Sequence, residues 1–217
     1  MGNSQSNCLT LPCGGEYEGE QWQLTPHGSG TCHWTKEGRM YQGEWKRGKM
    51  DGRGRETFDH GMQYDGEWKD GLRHGHGEET CPIGGSYKGG WSEGMRHGAG
   101  RQTCPLGGCY EGEWKKGMRD GKGKERFSHG GSYDGQWKEG LRHGKGIEEL
   151  SSGRIYEGEW ADGKRNGQGI EIRPSGRRYE GEWREDHKDG HGIEILADLT
   201  RFDGDWQHGK KHGKGKI

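Results

Sequence analysis

One spacing constrains everything this chain can fold into. Tyrosines stand at Tyr41, Tyr64, Tyr87, Tyr110, Tyr133, Tyr156 and Tyr179, with Phe202 in the next place, each 23 residues after the last. A tryptophan follows four residues after each of them, at Trp45, Trp68, Trp91, Trp114, Trp137, Trp160, Trp183 and Trp206. Glycine pairs such as Gly75/Gly77, Gly144/Gly146 and Gly213/Gly215 come eleven and thirteen residues after the aromatic. A degenerate copy begins at Tyr17, one residue out of phase. Self-similarity at a fixed period marks a repeat architecture, in which each unit leans only on its neighbours.

Each unit reads as a β-hairpin. In Tyr156-Glu157-Gly158-Glu159-Trp160 the rings and the glycine alternate with carboxylates, the period of a strand, so Tyr156, Gly158 and Trp160 share one face. The segment from Ala161 to Gly167 has the glycine and Asx chemistry of a turn, and a second strand is clearest at Gly169-Ile170-Glu171-Ile172. Pro174-Ser175-Gly176 then returns the chain to the next tyrosine, as Pro82 to Gly85, Pro105 to Gly108 and Ser128 to Gly131 do elsewhere. One hairpin is marginal in water. Nine in series predict an all-β fold, an elongated and twisted antiparallel β-meander. That single-layer ribbon would have about eighteen strands, on the order of 85 Å long, with aromatics stacked along one face. The array is expected over residues 15–217, behind a flexible N-terminal tail of residues 1–14.

Composition supports a thin stack over a globule. Hydrophobic residues are 24% of the 217, 32% are charged and 48 are glycine, too little apolar surface for one thick core. Ten tryptophans and eight tyrosines, regularly spaced, argue against disorder. A net charge of -1 leaves no basic face for nucleic acid. No apolar run is long enough to cross a membrane as a helix, and the start lacks the basic and apolar regions of a secretory signal. The chain is therefore expected to be soluble and intracellular, with its six cysteines reduced.

Residues that imitate catalytic or metal chemistry fail on spacing or context. His27, His74, His97, His143 and His212 share one repeat position, about 10 Å apart in such a sheet, too far to share a zinc ion. Asp51, Asp120, Asn166 and Asp189 fill that position elsewhere, which suggests turn geometry as its role. Cys81 and Cys104 are equivalent in adjacent repeats and too far apart for a disulfide. Cys32 and Cys109 have no neighbouring base to make them nucleophiles. Paired carboxylates such as Glu111/Glu113 recur in most repeats with no apolar pocket, so solvated positions facing lysines of the next strand are expected. The glycine-rich segments lead into no helix and are not phosphate loops. No cofactor, metal or catalytic site is expected.

Two features carry functional weight. A basic column stands nine residues after the aromatic: Arg73, Arg96, Arg119, Arg142, Arg165, Lys188 and Lys211. At a ribbon edge it could engage acidic phospholipid or an acidic partner, but balanced charge favours cross-strand ion pairs. The second feature is Met1-Gly2-Asn3-Ser4-Gln5-Ser6, which fits N-myristoylation of Gly2, with Cys8 available for palmitoylation. One acyl chain alone holds a membrane marginally.

The unit Tyr-x-Gly-x-Trp-x-x-Gly-x-x-x-Gly-x-Gly, as in Tyr110 to Gly123 and Tyr64 to Gly77, resembles the MORN repeat (membrane occupation and recognition nexus), over roughly residues 15–217. The first copy departs, with Trp22 one place late and Leu24 for the turn glycine, as a capping repeat would. In the eighth, Asp186 replaces the turn glycine. With no catalytic domain beside them, the repeats resemble the MORN-repeat subunits of the ciliary radial spoke head. The opening Gly15 to Glu20 and the recurring Arg-His-Gly-x-Gly (Arg73 to Gly77, Arg96 to Gly100, Arg142 to Gly146) carry that likeness. It implies a non-enzymatic scaffold in the axoneme of a cilium or flagellum, held by sibling spoke-head proteins, by another MORN protein or by a second copy, and helping to regulate motility. The alternative is an N-acylated tether linking a membrane to cytoskeletal or signalling partners. The chain's last strand, ending at Ile217, would leave an edge open for pairing. Under either reading the expected binding surface is the Tyr/Trp pairs of the middle repeats: Tyr64/Trp68, Tyr87/Trp91, Tyr110/Trp114, Tyr133/Trp137 and Tyr156/Trp160.

Overall fold

A computed structural model describes residues 8–216, as strands joined by tight turns plus one 3-10 turn at Thr35–Glu37. The chain divides into two compact units, residues 1–105 and 106–217. The first contains β1 (Cys8–Thr10), β2 (Glu16–Trp22), β3 (Thr25–Trp34), β4 (Arg39–Lys46), β5 (Lys49–Phe58), β6 (Gln63–Lys69), β7 (Leu72–Thr80), β8 (Ser86–Ser92) and β9 (Met95–Thr103). The second contains β10 (Cys109–Lys115), β11 (Met118–Arg126), β12 (Gly131–Lys138), β13 (Leu141–Leu150), β14 (Ile155–Ala161), β15 (Lys164–Ile172), β16 (Arg178–Arg184), β17 (His187–Ile195), β18 (Arg201–Gln207) and β19 (Lys210–Lys216). Within each unit every strand pairs antiparallel with its neighbours in sequence, as the hairpin period predicts.

The turn within each hairpin is tighter than the sequence suggests. Ala161 pairs with Lys164, which leaves only Asp162 and Gly163 outside the ladder. Their φ values are 50° and 82°, the left-handed pair of a type I′ turn, whose twist matches that of the flanking strands. Residues 164–167, expected in the turn, are therefore strand. The surplus residues form a bulge: Gly158 faces Gly169, but two residues on Trp160 faces Arg165. The left-handed residue there is the glycine, as at Gly75, Gly144 and Gly167, and not the histidine or asparagine before it. Asp186 keeps the turn shape at φ 68°, and its carboxylate accepts the Arg165 backbone N–H at 3.0 Å. The turn glycines also tie hairpin to hairpin, Gly163 N–H donating to the Arg142 carbonyl at 2.9 Å.

Cys8–Thr10, expected in a flexible tail, are strand. Cys8–Thr10 pair with Glu16–Glu18, so the segment after residue 7 is built into the sheet. Trp34, outside the repeat pattern, is buried against Trp45 and completes the aromatic layer near this end. Trp22 is exposed, in keeping with the altered first copy.

Candidate functional site

The aromatic column is the interior of the protein. Every repeat tyrosine is 0 or 1% exposed and the repeat tryptophans 3–6%. Tyr64 shows how a one-layer sheet achieves this. Trp68 on its own strand and Trp91 of the next repeat stand with ring centres 5.2 Å away, both near perpendicular. Tyr133 stands in the same way between Trp137 and Trp160. Glycine forms the floor: a Cβ at Gly77 would fall 2.3 Å from the Tyr64 hydroxyl oxygen. Both polar atoms are used, Tyr64 Oη donating to the Glu67 carbonyl at 3.0 Å and Trp68 Nε1 to the Gly54 carbonyl at 3.1 Å. The Tyr/Trp pairs are thus no docking surface. Their burial against the next hairpin is what holds each repeat in the stack.

From Arg73 to Lys188 the basic column closes the same layer from above, and Lys211 at its end stays exposed. Arg73 places its guanidinium carbon 4.5 Å from the Tyr64 ring centre and 5.2 Å from that of Trp91. Arg119, Arg142 and Arg165 repeat the arrangement, Arg96 covers Tyr87, and Lys188 and Lys211 put an ammonium over Tyr179 and Phe202. The partners of this column are carboxylates that the sequence reading passed over: Glu56, Glu79, Glu125, Glu148, Glu171 and Glu194, fifteen residues after the aromatic, with Gln102 at the one break. Their common 23-residue period was the signal that could have found them. Arg73 bridges Glu79 at 2.5 Å and Glu56 at 3.0 Å, Arg119 meets Glu125 at 2.7 Å, and Arg142 pairs with Glu148. Glu194, 1% exposed, is contacted by Arg177 at 2.6 Å and Lys188 at 2.8 Å. Burial alone would raise its pKa, but hydrogen bonds from those two cations hold it below the usual carboxylate range. Burial also pushes the phenols of Tyr87 and Tyr110 up to about 12, against the pull of Arg96 and Arg119.

The opposite face is open and polar. In the first unit a shallow groove of about 550 Å³ is floored by Gly66, Gly77 and Gly89 and lined by ion pairs, Arg55–Asp65 at 2.9 Å and Lys88–Glu78 at 3.2 Å. In the second unit a groove of about 510 Å³ lies over β13, β14 and β15, lined by Lys145, Ile147, Glu157, Glu159 and Ile170. The second glutamate of each pair does not meet lysines as expected. Glu113 accepts the Lys122 backbone N–H freed by the bulge at 3.1 Å, and Glu44, Glu67 and Glu182 do the same in their repeats.

Among the described residues no group of three histidines, cysteines or carboxylates could hold a metal ion, and no helix is long and apolar enough to cross a membrane. All six cysteines are free, Cys81 and Cys104 included. Burial pushes the Cys32 thiol up to about 12, with Cys13 nearby adding to the shift, the reverse of an activated nucleophile. Cys8 is exposed on β1, and Gly2 lies outside the described residues.

Hairpins with two-residue turns, covered by one aromatic layer, define a class of repeat protein. The chain belongs to the MORN-repeat family: the MORN repeat model matches nine segments that run with short breaks from residue 25 to 217. The match begins at the second strand of the degenerate first hairpin, β3. Phosphatidylinositol 4-phosphate 5-kinase 1 of Oryza sativa subsp. japonica is 51% identical over 45 residues, which are 21% of this chain and 6% of that protein. The chain thus spans only a small part of that relative. Among solved structures, the TCP10 domain of Danio rerio CPAP aligns over 91% of this chain and 93% of its own, at 10% identity and a TM-score of 0.47. The SAS-4 TCP domain of Drosophila melanogaster aligns over 76% and 86%, at 11% identity and 0.41.

Proposed function

We propose that this protein is a non-enzymatic interaction scaffold, an assembly subunit of an axonemal complex of the radial-spoke-head type. The observation that carries the scaffold reading is the sealed layer. Tyrosines, tryptophans, basic residues and glutamates pack on or pair with one another from hairpin to hairpin and leave the open face free to present side chains at fixed intervals. A sheet so braced holds partners at set spacings without moving itself. The spoke-head assignment is supported by the sequence likeness at Gly15 to Glu20 and at the Arg-His-Gly-x-Gly segments. Sibling subunits or a second MORN array are the partners it implies.

Fractionation of the native source with intact-mass measurement tests this reading. A detergent-resistant protein that co-purifies with microtubule axonemes and carries no fatty-acid mass supports it. A myristoyl mass with partition into detergent-soluble membrane sinks it and makes the chain a lipid-anchored tether through Gly2 and Cys8.

A further inference from the structure

One row of the open face changes character in the second unit. Across β12 to β18 the residues Asp134, Ile147, Glu157, Ile170, Glu180, Ile193 and Asp203 are direct cross-strand neighbours, acid and isoleucine in strict alternation. At the same repeat positions elsewhere the row is charged and forms ion pairs across the strands: Arg55–Asp65, Lys88–Glu78 and Lys124–Asp134. In three successive repeats isoleucine takes the place that Arg55, Glu78, Arg101 and Lys124 hold in the others. Within that stretch Glu180 takes Arg178 of its own strand at 2.6 Å, and Asp203 takes Arg201 at 2.6 Å. Glu157, flanked by Ile147 on one side and Ile170 on the other, is exposed and has no ion pair among the described residues. Ile147 is 44% exposed and Ile170 half-buried, and both line the groove together with Glu157.

We infer that this groove is a docking site for a segment of a partner protein that presents a lysine or arginine between two aliphatic side chains. Charge complementarity sets the cation: a lone carboxylate between apolar neighbours rewards a positive partner and rejects an acidic one. Spacing sets the shape. Strands stand about 4.8 Å apart, so isoleucines recur about every 9.6 Å with an acid halfway between. A helix rises 1.5 Å per residue, so aliphatic residues at i, i+7 and i+14 with lysines near i+3 and i+10 match that step. A short basic amphipathic helix laid across the strands is therefore the occupant. This deepens the scaffold reading and rests on it, since it names the chemistry of one presented surface.

The probe is a fluorescent synthetic peptide with leucines and lysines in that pattern, titrated with the full chain by anisotropy. Saturable binding is expected, weakened about fivefold by Glu157→Gln and about tenfold by Ile170→Thr. Asp65→Asn, on the first unit's ion-paired row, should leave it unchanged. Circular dichroism melts show that each variant is folded. No saturation with the wild-type chain overturns the site, as does equal binding of a peptide with glutamates for the lysines, or equal weakening by Glu157→Gln and Asp65→Asn. Sedimentation velocity gives one more outcome: self-association that Ile170→Thr abolishes, without peptide binding, would seat a second copy there and overturn the helix. Any of these failures leaves the fractionation result, and the scaffold reading with it, intact.

Discussion

The guanidinium carbon of Arg142 stands 4.4 Å from the centre of the Trp160 ring, one hairpin along the chain, while its nitrogens hold Glu148. The ion pair expected of this column is present, and the same cation is also part of the packed layer. Replacing it removes a ring contact and strands a buried carboxylate at once. Arg142→Gln should cost about 3 kcal/mol, the scale for breaking a buried pair on one side. Urea denaturation reads that loss. Sedimentation with anionic vesicles should not differ between the two proteins, and a marked drop in vesicle binding would return the column to the surface.

Glycines of the tyrosine floor and glycines of the turns should respond differently to alanine. A Cβ on Gly169 would lie 2.4 Å from the Tyr156 hydroxyl oxygen and 2.5 Å from its ring. Gly140 has nothing within 4 Å of such a Cβ and only its φ of 85° to defend. Gly169→Ala should cost about 3 kcal/mol through overpacking, and Gly140→Ala about 1 kcal/mol through backbone strain alone. Equal losses in a denaturation series would mean that the ring can shift aside.

The phenol of Tyr156 adds a hydrogen bond to the Glu159 carbonyl at 3.0 Å, and its ring supplies the packing. Tyr156→Phe should therefore cost about 1 kcal/mol and Tyr156→Ala about 4 kcal/mol. Phe202 already occupies the equivalent place near the last tryptophan. A phenylalanine variant as damaged as the alanine one would assign the stabilisation to the hydroxyl.

Alkaline pH should unfold the chain through its tyrosines. Burial raises the phenol pKa of all eight above the ordinary value of 10, to about 12 for Tyr87 and Tyr110. Above pH 10 the unfolded chain releases phenol protons that the folded chain still holds, so stability falls as pH rises. It is fully present below pH 10 and is lost between about 10 and 12. Absorbance at about 295 nm, which reports tyrosinate, should rise together with loss of the strand signal in circular dichroism. Ionisation near pH 10 with the sheet intact would show that the rings are open to solvent.

The hairpin turns are not optimised in sequence. Glu139 sits at φ 50° before Gly140, a left-handed position that asparagine tolerates better than glutamate. Glu139→Asn should stabilise the protein by about 0.5 kcal/mol, measured as a higher denaturant midpoint with unchanged slope. A lower midpoint would mean that the Glu139 side chain makes a contact of its own.

Much of this protein follows from sequence alone, because a 23-residue period of Tyr, Gly and Trp permits little besides a row of hairpins. The shared face of Tyr156, Gly158 and Trp160 and the floor glycines were legible from alternation and spacing. The bulge was not, because two surplus residues in Arg165 to Gly167 look like turn residues until the partner strand fixes the register. Nor could one dimension say which columns lie beneath which. Only the stacked sheet puts Arg142 of one hairpin over Trp160 of the next and brings Glu148 to its nitrogens. Those contacts turn the tyrosines from an expected binding surface into interior and set the ion pairs of the basic column over the rings. A one-layer sheet has no second layer to bury its rings, so long side chains from adjacent hairpins must cover them. On the opposite face the long side chains pair across the strands, as Arg55–Asp65 and Lys88–Glu78 do, and that face stays open.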